Sequence, residues 1–128
     1  MAFEPIDSAT ERQINADLAE AAGRGINGSP HDIVESFEGE LADYLALPRD
    51  VQRSYPRGDT ARIYGTALGD ALVREGYVWA LLADAYGTDL VVHKGEKYVA
   101  PLVVVDTRYE DEETGKLTVF LDQFLGGR

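Results

Sequence analysis

The chain has 128 residues, 45% of them hydrophobic, enough for one folded domain over residues 1–128 that hides roughly two thirds of its unfolded surface. Its 23 acidic residues outnumber 12 basic ones, and a net charge of −11 argues against nucleic acid or an anionic membrane as partner. There is no cysteine, which excludes disulfide, thiolate and zinc-ribbon chemistry.

Ser8-Ala9-Thr10-Glu11 reads as a capping box, with Ile14 and Leu18 at helical spacing behind it and Gly23 as the stop. Gly23 to Gly28 is a loop. Ser29 then caps a second helix, with Pro30 in its first turn and Asp32 against the helix dipole. Ile33, Phe37, Leu41, Tyr44 and Leu45 form its apolar stripe, and Pro48 ends it. Arg49 to Gly58 reads as a connector. A third helix is predicted over Asp59–Glu75, capped by Asp59-Thr60, with Ile63, Tyr64, Ala67, Leu68, Ala71 and Leu72 on a wide apolar face.

After Gly76 the pattern changes. Tyr77 to Leu82 is apolar at consecutive positions and reads as a strand covered on both faces. Leu90-Val91-Val92 is a second strand, Lys94-Gly95 a two-residue hairpin turn, and Tyr98–Tyr109 a third strand, with Pro101 at an edge or bulge. Glu110 to Gly115 is a charged loop. Leu117, Phe120, Leu121 and Phe124 stand at helical spacing and predict a closing helix. The expected architecture is α+β: three N-terminal helices, a three-stranded antiparallel meander and a C-terminal helix.

Charge is uneven. Residues 1–48 hold 10 acidic and 2 basic groups (−8), residues 49–74 hold 3 and 5 (+2), and residues 75–128 hold 10 and 5 (−5). The acidic first part is either a solvated surface or a face that docks on a basic protein. Arg49, Arg53, Arg57 and Arg62 cluster near Tyr55 and Tyr64, as an anion site would, or as arginines paired with the acidic helices around them. Gly65 and Gly69 lie four apart on the third helix, so another backbone comes close: the protein's own sheet, or a second copy in a homodimer. His31 and His93 have no metal-ligand spacing, Ser8, Ser29, Ser36 and Ser54 lack a nucleophile setting, and no glycine loop follows a strand to cradle phosphate. No cofactor and no catalytic residue is therefore expected.

From Tyr64 to Arg108 the chain resembles a bacterial family, the domain of unknown function 3806. The resemblance rests on Gly65, Leu68, Gly69 and Leu72 leading into Gly76-Tyr77-Val78-Trp79, then Asp84, Tyr86-Gly87, Val99 and Pro101, and the stretch Val103 to Arg108. It implies a bacterial source and the helix-then-meander order, and brings no activity.

The first residues lack the basic and apolar stretches of a signal peptide, and no apolar run is long enough to span a bilayer. The functional expectation is a cytoplasmic, non-enzymatic protein-binding domain, such as an immunity or inhibitor protein that masks a basic toxin with its acidic face. One alternative is a secretion-chaperone-like dimer. Another is a small-molecule binder with a pocket between sheet and helices, walled by Trp79, Tyr77 and Tyr64, with Arg62 or Arg57 holding an anion.

Overall fold

The structure, a computed structural model, describes residues 2–126. Strand β1 (Ala2–Glu4) precedes helices α1 (Ser8–Gly23), α2 (Pro30–Ala46), α3 (Arg49–Gln52) and α4 (Arg57–Val73). Strands β2 (Val78–Asp84), β3 (Gly87–Lys94) and β4 (Lys97–Val99) follow, then α5 (Pro101–Thr107), a 3-10 turn (Arg108–Glu110) and α6 (Lys116–Gly126). The class is α+β.

Helix α4 is the centre. Of its 17 residues 11 are buried, because α1, α2, α5 and the sheet all pack around it. It starts at Arg57 with no side-chain cap, two residues before the expected Asp59-Thr60 cap. The cap of α2 is as read: Ser29 and Asp32 bond each other's backbone N–H at 3.1 and 3.0 Å. The cap of α1 is Asp7 rather than Ser8, accepting from the Thr10 N–H at 2.7 Å. Helix α6 has its first turn capped from outside. The Glu38 carboxylate on α2 accepts from the backbone N–H of Gly115 and Thr118 and from the Thr118 hydroxyl, at 3.0, 3.2 and 2.8 Å. Each such bond to a charged acceptor contributes about 1.5–3 kcal/mol and ties the C-terminal helix to α2.

The sheet corrects the expected three-stranded meander. It has four antiparallel strands in the order β1-β2-β3-β4. The first is supplied by the N-terminus, with Phe3 opposite Leu82. The β3–β4 hairpin closes across Lys94 and Lys97, so its turn is Gly95-Glu96, one residue later than read. On one face Trp79 and Val92, opposite each other in register, turn towards α4. On the other, Ala80, Leu82 and Val91 form a small second cluster with Phe3.

The expected third strand is the larger correction. Only Lys97–Val99 is extended, and Pro101 opens a helix. Pro101, Val105 and Tyr109 are buried while Val103 is 55% exposed, a helical period that the β-branched run Val103-Val104-Val105 hides. What holds this segment as a helix is α4. A Cβ on Gly65 would lie 2.5 Å from the Leu102 Cα, so the missing side chain is what lets the α5 backbone approach. Gly69 accommodates the Trp79 indole in the same way. The close approach that the two glycines imply is thus made inside the chain, at Gly69 by Trp79 of the protein's own sheet and at Gly65 by α5. No helix among the described residues is long and apolar enough to cross a membrane.

Candidate anion-binding cleft

Pro48 stops α2, and the chain turns at once into α3 and then α4. This short path puts Arg49, Arg53 and Arg57 along one surface. Gln52 fixes it, donating to the Tyr44 and Leu47 carbonyls at 3.1 and 3.2 Å and so satisfying open groups at the end of α2. Two adjoining hollows of about 550 and 380 Å3 share Tyr44, Arg49, Gln52 and Arg57. Arg53 and Tyr55 line the smaller one; Tyr109 and the carboxylate-bearing Glu110 and Glu112 line the larger.

Three tyrosine rings form the inner wall. Tyr44 lies 5.0 Å from Tyr55 and 4.9 Å edge-on from Tyr109, and Tyr55 and Tyr109 are 6.0 Å apart. The Arg57 guanidinium rests 5.4 Å over the Tyr109 ring, a cation–π placement. It also donates to Glu110 at 2.7 Å, and that bond holds the guanidinium proton more firmly than usual. Arg49 and Arg53 have no ion-pair partner among the described residues, in a chain where carboxylates are everywhere.

The wall is also a store of buried phenols. The Tyr109 hydroxyl is buried without a hydrogen-bond partner among the described residues, and burial pushes its pKa far up, the Tyr55 phenol adding to the effect. Tyr55 donates to Glu40, and burial first, then this bond, raises it as well. Tyr64, outside the wall and packed against Phe37, is raised by burial too. All three keep their protons at pH values where free tyrosine, at 10.0, ionises. The unfolded chain then binds fewer protons than the folded one, so stability falls as pH rises past about 10. A spectrophotometric titration should show these phenolates appearing together with loss of near-UV circular dichroism. Their appearance in a fully folded protein near pH 10 would contradict the packing.

Of the five residues singled out in the sequence, only Arg57 reaches this cleft. Arg62 leaves it for α1, pairing with the buried Asp17 at 3.2 Å and with Asp59 at 2.9 Å. Tyr64 is buried edge-on against Phe37, its hydroxyl 2.9 Å from that of Ser36. Tyr77 is buried against Phe124 beneath the Lys94 ammonium. Trp79 sits against Gly69 and lines a separate hollow of about 340 Å3 with Phe3 and His93. Trp79, Arg62 and Arg57 thus line separate hollows rather than one shared pocket. The rings that matter, Tyr44 and Tyr109, come from elements distant in sequence. The sequence alone places Tyr44 on the α2 stripe and Tyr109 at the end of a strand.

Among the described residues, no group of three or more His, Asp or Glu side chains is placed to hold a metal ion. No family model, curated protein or solved structure matches the chain.

Proposed function

We propose that this chain is a non-enzymatic binding domain, and that its cleft captures a compact anionic group, a phosphate or carboxylate carried by a partner protein. The observation that carries the reading is the convergence of Arg49, Arg53 and Arg57 on one cleft walled by tyrosines. Guanidinium groups present forked donors that match such oxygens in pairs, and among the described residues two of the three, Arg49 and Arg53, make no ion pair with a carboxylate. The flanking rings supply apolar contact around the anion, as binding sites do around a few fixed polar groups. The ligand is compact rather than a polyanion. The −8 charge of residues 1–48 repels an extended negative chain, and it favours a partner whose remaining surface is neutral or basic.

The test is a titration of the full chain, at low ionic strength, with pyrophosphate and separately with succinate. Amide and arginine side-chain signals are followed by NMR. Saturable shifts confined to Arg49–Arg57 and Tyr109 are expected, and the stronger of the two probes identifies the oxyanion. Arg49→Ala with Arg53→Ala should weaken binding by about tenfold or more, each lost charged hydrogen bond being worth about 1.5–3 kcal/mol. Absence of saturable shifts with both probes would reject the reading.

A further inference from the structure

We infer that Glu110 is a built-in competitor for this cleft, an intrachain carboxylate that occupies Arg57 and is displaced when an outside anion engages all three arginines. The inference rests on the anion-binding reading above. Glu110 already does what a ligand oxyanion would do: it accepts from Arg57 Nη2 at 2.7 Å inside the larger hollow. Its side chain is 69% exposed, so solvent screens the pair and the bond exchanges readily. Arg57 has a second support besides Glu110, since its guanidinium lies 5.4 Å over the Tyr109 ring.

The neighbouring backbone is anchored. Tyr109 is buried, and Asp111 pairs with Arg108 at 3.2 Å with both side chains largely enclosed. Release of Glu110 therefore needs only a side-chain rotation. Glu112 provides a built-in comparison. It lines the same hollow and carries the same charge, but it makes no ion pair among the described residues.

The experiment is calorimetric titration of the full chain with pyrophosphate, for the wild type and for Glu110→Gln, Glu112→Gln, Arg57→Ala and the Arg57→Ala/Glu110→Gln pair. Thermal melting confirms that each variant is folded. Glu110→Gln should tighten binding about fivefold or more and Glu112→Gln about twofold or less, since both remove one negative charge but only one frees a guanidinium. In the Arg57→Ala background the gain should fall to that of Glu112→Gln, the effect of one removed charge. Equal gains from the two glutamines, a gain that survives Arg57→Ala in full, or wild-type binding unchanged by Glu110→Gln would each overturn the competitor role while leaving the cleft reading intact. No binding by the wild type or by Glu110→Gln would overturn both.

Discussion

Gly65→Ala should lower the melting temperature by roughly 10 °C, although alanine is the better helix former. The intrinsic gain for replacing glycine inside a helix is about 1 kcal/mol. At this position the new Cβ would meet the Leu102 Cα at 2.5 Å, the Leu102 N at 2.9 Å and the Pro101 O at 3.0 Å. All three are backbone atoms and none can rotate away, so α5 must shift as a body. Overpacking typically costs about 1–3 kcal/mol and occasionally more, and a contact in which only backbone can yield belongs at about 3–4 kcal/mol. Less the gain of about 1 kcal/mol, the net loss is about 2–3 kcal/mol, at about 4 °C per kcal/mol in a domain of this size.

Two other glycines make the comparison internal. At Gly69 the obstacle is the Trp79 ring, which is only partly buried and can swing, so a smaller loss accompanied by a change in fluorescence of the single tryptophan is expected. At Gly39, in the middle of α2, nothing lies within 4 Å, and alanine should stabilise by up to about 1 kcal/mol. The order of melting temperatures should therefore be Gly39→Ala highest, then Gly69→Ala, then Gly65→Ala. If Gly65→Ala melted with the wild type, the α4–α5 contact would be misplaced.

The same contact explains what could and could not be read from the residues alone. Helices with their own punctuation were legible: Ser29-Pro30 and Pro48 bracket α2, and the spacing of Leu117, Leu121 and Phe124 marks α6. The Val103 to Val105 run was not, because local β preference and a tertiary notch give opposite answers and the notch prevails. Strand β1 was invisible for a related reason. Three residues carry no period of their own, and Ala2–Glu4 is extended only because β2 offers an edge.

The cleft was half legible. Arg49, Arg53 and Arg57 stood out beside Tyr55. Arg62 seemed to belong with them, but five residues of helix turn it about 140° around the axis from Arg57, and it faces Asp17 on α1 instead. Tyr109 is placed by α5 and the 3-10 turn, so no reading that took the segment as a strand could have put it under Arg57.

Phe37→Ala should be the most damaging single truncation. The ring is fully enclosed and meets two tyrosines edge-on, Tyr64 on α4 at 5.4 Å and Tyr109 at 5.6 Å. Removing a buried phenylalanine costs about 3–5 kcal/mol through lost transfer energy and the cavity left behind. Edge-on aromatic pairs add to the attraction that is lost. Domains of this size are stable by about 5–15 kcal/mol, so the variant would retain only part of its margin. Urea unfolding should show a much lower midpoint with an unchanged slope, whereas Phe37→Leu, which keeps most of the volume, should lose far less.

The consequence reaches the cleft. Tyr109 is gripped between Phe37 below and Tyr44 beside it, and it is the surface on which Arg57 rests. With the floor loosened, folded Phe37→Ala protein should bind pyrophosphate more weakly than Phe37→Leu even under conditions where both are native. Equal affinity in the two would mean that the arginines hold their geometry without the aromatic floor, and the tyrosine wall would then have no part in recognition.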